Sequence, residues 1–332
     1  MMDLLRGYEA RPYHPQLKGE WDHLVSRAKN SNFLFLRDYM DYHSERFDDH
    51  SLMFYKDGRL LGCLPGNVTE RTLHSHQGLT YGGLLMHPKI RFENVCSIMS
   101  LLSDHLQKNA FSSLVYNPMP YIYHRLPADE DLVALSDLRA QIVASKAICV
   151  IRNDNNRWLS RNRKRDVDRF LKSGMTIARS YLFESFMKLC ESNLIERFAA
   201  VPVHAPTVMQ SLANKFPGYI KLYAAYNQGT MIAGVVIYCN QGCAKVQYIA
   251  CTDVGRETGA IAAIYSYILE HILPPNTWLE FGHSLTPAGQ FNKGVHNYKE
   301  SFGARIVQNS TYLLVPNFDG QSIEADREHG PA

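Results

Sequence analysis

Short runs of alternating apolar and polar residues, each closed by a turn, recur in the same order in the two halves of the chain. In the first half, Ser51-Leu-Met-Phe-Tyr55 enters the turn Lys56-Asp57-Gly58, the run 59–64 follows, and residues 79–86 form a third β-like run. In the second half, Tyr219-Ile-Lys-Leu-Tyr-Ala-Ala-Tyr226 enters Asn227-Gln228-Gly229, then come runs over 231–239 and 244–252. Glycine-ended turns between β-rich runs predict hairpins, and the spacing Tyr-x-x-Gly marks both. Each meander leads into a helical pattern. Ile98, Leu101, Leu102 and Leu106 share one face over 95–108, and Ile261, Ile264, Tyr265 and Ile268 share one over 257–271, which Pro274 and Pro275 end. A strand follows each helix, at 113–116 and 277–281. The expectation is an α/β fold of the α+β mixed-sheet kind, built as two similar units, each a twisted mixed sheet flanked by helices. The units are expected at 1–145 and 146–316, with a disordered polar tail at 317–332.

Length and composition agree with two ordinary globular domains: 332 residues, 45% apolar, 20% charged. A net charge of +3 demands no nucleic-acid partner. Seven cysteines sit mostly inside apolar runs with no repeated spacing, the pattern of buried thiols in a reducing compartment. Cys239 and Cys243 flank a turn without His ligands nearby, and His74 and His76 lack a third ligand, so no metal is expected. The N-terminal residues lack a signal-peptide apolar core, and no apolar run is long enough to span a bilayer. A cytoplasmic protein is expected, with peripheral contact at the inner membrane kept open.

Locally the charge is uneven. Residues 157–174 hold seven Lys/Arg and two Asp. Arg161, Arg165, Arg169 and Lys172 fall near one helical face and Val167, Phe170 and Leu171 face away, with Ser160 placed to cap and Gly174 to end the helix. Such a face either binds phosphates or is solvated surface.

Candidate chemistry gathers at the C-terminal end. Trp278-Leu-Glu-Phe-Gly282-His283 is an apolar strand ended by glycine, followed by a polar loop and then Tyr298-Lys299-Glu-Ser-Phe302-Gly303. Ligands of open α/β sheets bind at such strand ends. Glu280, the one acid of the strand, either faces solvent or has a raised pKa suited to a general base. His283, titrating near neutrality, is a rival base, and Asp253 a third candidate or a helix cap. In the first half, His76, Gln77 and Tyr81 lie among glycines in a stretch suited to hydrogen bonding a polyhydroxyl acceptor. Tyr248 points into either a cleft or the core. Neither a nucleophile elbow nor a Walker or dinucleotide-binding glycine loop occurs.

The repeated meander, the basic helix ending Lys172-Ser-Gly174 and the Phe281-Gly282…Tyr298-Lys299…Phe302-Gly303 ending, in that order, resemble the FemAB-like branch of the GNAT acyltransferases, in which two GNAT-type domains are fused. The likeness spans residues 30–315. Asn117-Pro-Met-Pro120 through Arg125 is similar to the inter-domain region, and Pro202-Val-His204 to the loop before the second meander. The resemblance implies direct transfer of an acyl or aminoacyl group from an activated carrier to an amine. The acceptor would be a cell-envelope or surface-polysaccharide precursor, such as an amino sugar or peptide, soluble or lipid-linked. It implies Tyr298 and Lys299 as catalytic residues, the lysine supplying positive charge, with Glu280 or His283 as base. His204 would join Tyr248, Arg161 and Arg165 in substrate binding. Acyl-coenzyme A is the favoured donor, seated by Arg256, Gly259 and Ala260 with Ile249 and Cys251 on the strand before them. Arg256-Glu-Thr-Gly259-Ala260-Ile261 departs from the GNAT phosphate-loop pattern in its last residue. That departure keeps two alternatives in play: aminoacyl-tRNA as donor, contacted by the basic helix, and a non-catalytic module that binds a glycan or nucleotide-sugar.

Overall fold

The computed structural model describes residues 5–43, 46–154, 158–198, 200–286 and 288–316; the expected tail at 317–332 lies outside them. The two hairpins form where the turns predict. The first joins β1 (Leu52–Lys56) to β2 (Arg59–Leu64) through Asp57 at φ 48° and Gly58 at φ 75°. Downstream, β5 (Ile220–Asn227) and β6 (Thr230–Cys239) join through Gln228 at φ 48° and Gly229 at φ 82°. Two consecutive left-handed residues in a two-residue loop are the turn whose twist matches paired strands, and glycine is strain-free there. Both ladders also slip register at the same place, between Phe54 and Tyr55 and between Ala225 and Tyr226. The repeat is thus carried by backbone geometry, with little shared side-chain identity.

The elements between complete the framework. They are α1 (Phe92–Lys108), β3 (Ser113–Tyr116), β4 (Gln141–Arg152), α2 (Arg161–Lys172) and α3 (Phe183–Phe198). After the second hairpin come β7 (Cys243–Cys251), α4 (Asp253–Thr258), α5 (Ala260–Tyr267), β8 (Trp278–His283), α6 (Lys293–Glu300) and β9 (Arg305–Leu314). Two expectations need correction. The strand expected over 79–86 contracts to Leu85–Met86. Gly82 is pressed against the Ser75 carbonyl and Gly83 turns left-handed, so the Leu84 N–H bonds the Tyr116 hydroxyl rather than a neighbouring strand. The single helix expected over 257–271 is broken at Gly259, left-handed at φ 79°, and α5 closes in a π-turn at Ile268–Ile272.

A four-stranded sheet of Tyr8–Pro12, β1, β2 and Leu85–Met86 lies in the first half. A mixed eleven-stranded sheet crosses both halves in the order Thr176–Ser180, β5, β6, β7, β8, β4, β9, β3, then Thr72–His74, Asn67–Thr69 and Asp48–Asp49. Helices cover its faces, as expected of a mixed α/β fold. Trp21, Phe33, Tyr39, Tyr81 and Tyr123 of the first half pack in one core with Ile148, Met187, Phe216 and Tyr238. On the opposite face of the second-half sheet, α5 covers a second core containing Val235, Ile237, Leu279 and Phe281. Among the described residues no helix is long and apolar enough to cross a membrane.

Candidate functional site

The irregular place in the large sheet is the parallel pair β7–β8. It is paired only from Cys243↔Trp278 to Lys245↔Glu280. Beyond that the strands part. β7 takes a bulge against β6 between Val236 and Ile237, and β8 slips register against β4 between Glu280 and His283. The edge of β7 then turns to side chains: the Cys251 N–H donates to Asn193 Oδ1 at 2.9 Å. A gap thus opens in the sheet, with two cavities along β7.

The first cavity, about 320 Å³, faces the first half and is lined by Tyr81, Lys146, Lys245, Gln247, Glu280, His283 and Asn309 among others. Glu280 is 1% exposed. Alternation does turn it away from Leu279 and Phe281, but the face it reaches is the shared core rather than solvent. Lys245 Nζ donates to its Oε1 at 2.7 Å, and the Tyr123 hydroxyl donates to its Oε2. The Tyr81 ring lies 4.9 Å from that of Tyr123, and Asn32 Nδ2 donates to the Tyr81 hydroxyl at 3.1 Å. Both carboxylate oxygens are thus already bonded, one by an ammonium and one by a phenol. His283 is the freer base. Burial lowers its pKa, and the charges of Lys146, Lys299 and Lys245 lower it further, so the imidazole is neutral at pH 7.

The second cavity, about 420 Å³, opens between α2, α3, β7 and the α4–α5 junction. Its lining includes Arg163, Asn193, Ile249, Cys251, Arg256, Gly259 and Tyr298. Tyr298 stacks edge-on against Phe302 at 5.1 Å under the Arg163 guanidinium, 5.2 Å from its ring. Burial pushes its pKa up to about 12, so it is a protonated donor at neutral pH. Four of the five residues assigned to the donor therefore meet here. The fifth, Ala260, is buried and lies outside the lining.

Lys299 parts from Tyr298. Adjacent residues on a helix diverge by about 100°, and the Lys299 ammonium donates to the carbonyls of Gly282 at 3.0 Å and His283 at 2.5 Å. It is a strut between α6 and the end of β8, with a pKa lowered by burial. Gly259 also serves packing. A Cβ there would stand 2.6 Å from the Asp166 carbonyl oxygen, so α2 lies directly on it. The amides of Gly255, Arg256 and Gly259 are spent on Thr252 and on the Arg256 carbonyl. Those three amides are therefore not free for a pyrophosphate, while the first turn of α5 has no side-chain cap on its N–H groups.

Other sequence candidates scatter. Gln77 Oε1 accepts from Asn67 and Thr69, which pins its loop to a neighbouring strand, and His76 is buried, its Nδ1 accepting from the Gly78 N–H. Arg161 and Arg165 are exposed on α2 and outside both cavities. His204 and Tyr248 do meet, with Nδ1 2.6 Å from the hydroxyl. Lys245, Lys146, Tyr123 and Arg163 went unread as site residues. Lys245 is the lone charge in its apolar strand, but its partner follows only from the parallel register with β8. Among the described residues there is no group of three metal-ligating side chains.

No protein-family model matches the chain, and no curated protein does. Solved structures do. FemX superposes with a TM-score of 0.65 at 12% identity, covering 92% of this chain and 97% of its own. L-PGS from Bacillus licheniformis gives 0.59 at 11%, covering 94% of each. The C-terminal domain of a putative lysylphosphatidylglycerol synthetase from Agrobacterium fabrum gives 0.56 at 10%, covering 91% and 92%. At such identities the likeness is one of fold, and the chain shares the fold of FemX over nearly its whole length.

Proposed function

We propose that the chain is an N-acyltransferase whose donor and acceptor occupy two neighbouring cavities along β7 and meet in the gap between β7 and β8. The observation that carries this is the placement of the two cavities. One is walled by Lys245–Gln247 and the other by Ile249–Cys251, successive stretches of one strand. The acyl donor takes the larger cavity, and the amine of a cell-envelope precursor takes the cleft facing the first half. The name putative lysylphosphatidylglycerol synthetase, given to one structural neighbour, describes an aminoacyl group joined to a lipid that carries hydroxyls and no amine, so it supports the acyl group and not the amine acceptor of this reading. His283, neutral and beside the gap, receives the proton of the attacking amine. The Tyr298 hydroxyl, in the donor cavity, protonates the leaving group. Holding both substrates across one gap supplies the orientation that direct transfer needs.

A specific observation favours a second reading of the donor. Because α2 fills the space beside Gly259 and three amides of the turn are spent, coenzyme A would find fewer N–H partners for its pyrophosphate here. The same α2 lines the donor cavity with Arg163 and exposes Arg161, Arg165 and Arg169. An aminoacyl-tRNA delivering its acyl end to this cavity would use both faces of the helix. A mass-spectrometric screen of acyl-coenzyme A and aminoacyl-tRNA donors against amino-sugar and peptide acceptors tests both. Transfer lost in Tyr298→Phe is the expected result. Binding of ligands without transfer from any donor would leave a recognition module and sink the proposal.

A further inference from the structure

The end of β7 has lost β8 as a neighbour, and two side chains stand in its place. Pairing with β8 stops at Lys245↔Glu280, while β6 stays paired with β7 as far as Ala233↔Cys251. The Thr252 N–H turns back to the Ile232 carbonyl at 2.8 Å, on the β6 side. Main-chain groups of successive residues alternate between the two edges of a strand, so those of Cys251 face the empty side. Asn193 Oδ1, from α3, accepts from the Cys251 N–H at 2.9 Å, and Arg256 Nη1, from α4, donates to the Cys251 carbonyl at 2.6 Å. An asparagine amide has one accepting oxygen and one donating nitrogen. A main-chain N–H can be met only by the oxygen, so the orientation of the amide is fixed and its nitrogen is the end left over. Among the described residues Nδ2 has no hydrogen-bond partner, and Asn193 lines the cavity that also holds Tyr298. We infer that Asn193 is a further catalytic residue, whose Nδ2–H donates to the carbonyl oxygen of the acyl group and holds the negative charge that develops there. This rests on the acyl-transfer reading and adds the group that stabilises its intermediate.

The two arginines of this wall are committed elsewhere. Nε and Nη2 of Arg256 donate to Asp253 Oδ1. Arg163 pairs with Asp166 at 2.9 Å over the Tyr298 ring, and its Nε is buried. Asn193, by contrast, is anchored by its oxygen before any substrate arrives, so its N–H is aimed at no cost in reorganisation, which is what an oxyanion donor needs. The step balances. As the amine nitrogen bonds to the acyl carbon, the π pair of the carbonyl moves onto its oxygen, against Asn193 Nδ2–H. The pair returns to remake the carbonyl as the bond from carbon to the carrier's sulfur or oxygen breaks, and that atom takes the proton of the Tyr298 hydroxyl. The proton lost by the amine goes to His283, and exchange with solvent restores both side chains. Asn193 gives up no proton, so it serves a thioester and an ester donor alike.

Two substitutions in the whole chain separate this role from that of a strand cap. Asn193→Asp keeps an oxygen for the Cys251 N–H and removes the donor; Asn193→Ala removes both. Amide hydrogen exchange at Cys251, followed by NMR, should stay slow in Asn193→Asp and quicken in Asn193→Ala. Turnover with the acyl-coenzyme A or aminoacyl-tRNA that transfers should instead fall about 100-fold in both, in kcat and with KM for the donor little changed. Turnover that survives in Asn193→Asp, or a loss confined to KM, makes Asn193 a cap and overturns the inference. Circular dichroism checks that both variants are folded, and a second measurement needs no variant. The ketone analogue of acetyl-coenzyme A and an amide-linked alanyl-adenosine are titrated into the labelled parent while the Asn193 side-chain N–H signals are followed. A shift on saturation supports the contact, and if no donor then transfers, only the acyl-transfer reading fails. Saturation that leaves these signals unmoved removes Asn193 from the carbonyl and leaves that reading standing. A parent that neither binds nor transfers rejects both.

Discussion

The two halves start from the same hairpin and end in different things. In the second half, the parallel pair β7–β8 separates after three paired positions and leaves a gap with two cavities along β7. In the first half, the parallel pair formed by Thr72–His74 and β3 also has three paired positions, but it is then stitched shut. The Ser75 N–H donates to the Val115 carbonyl, the Asn117 N–H to Ser75 Oγ, and Gly82 bridges to Pro118. The Tyr116 hydroxyl accepts from the Leu84 N–H and donates to buried Asp131. One copy of the frame thus spends its strand ends on structure, and the other leaves them open. The lesson is that a duplicated fold can keep one copy as support, so the open gap is a better guide to function than the repeat itself.

The contrast can be broken or sharpened by mutation. The largest effect is expected from Glu280→Ala, which strands Lys245 and Tyr123 in the shared core; a loss of about 3–5 kcal/mol in denaturant unfolding is expected. A near-neutral result would mean the two halves are not tied by this contact. Next, Tyr298→Phe should lower the turnover found in a donor screen by about 100-fold with stability kept. Tyr116→Phe in the closed half should leave turnover alone while lowering stability. The closed half also predicts a pH signature. Burial raises the Asp131 pKa to about 7, above its unfolded value, so its neutral form stabilises the fold. That contribution is full below about pH 4 and is lost as pH rises through about 7. Asp131→Asn should flatten stability across this window, and an unchanged pH profile would contradict the assignment. Smallest and most symmetrical, Gly58→Ala and Gly229→Ala both force a left-handed alanine into open space and should each cost about 1 kcal/mol. Unequal losses in thermal unfolding would show that the hairpins are not equivalent.

Much of the frame was legible because it is local. Two-residue turns, alternating strands and an amphipathic helix are written within a dozen residues, and Asp57-Gly58 and Gln228-Gly229 announce their turns without reference to the rest. The site was legible only in pieces. Glu280 was singled out as the acid of a buried strand, but its environment depends on Tyr123, which arrives from the other half. Tyr298 and Lys299 read as a pair because they are neighbours in sequence, yet helical geometry sends one to the cavity beside α2 and the other to main-chain carbonyls. Arg256 to Ile261 read as a phosphate loop because the glycine is there, but its left-handed φ at the helix break and a helix packed from elsewhere each require a glycine. Contacts between distant segments set each of these outcomes, and no window of sequence contains them.

The order of strands in the large sheet also bears on how the chain is made. β3 sits between Thr72–His74 and β9, so Tyr116 finds its antiparallel partner only at Tyr312. On a ribosome the first half would emerge with an exposed strand edge that nothing nearby can cover until the last described strand has been synthesised. Such an edge is where a nascent chain pairs with the wrong neighbour. The protein's yield in a cell should therefore depend on what shields β3 during translation, a demand that the finished fold no longer displays.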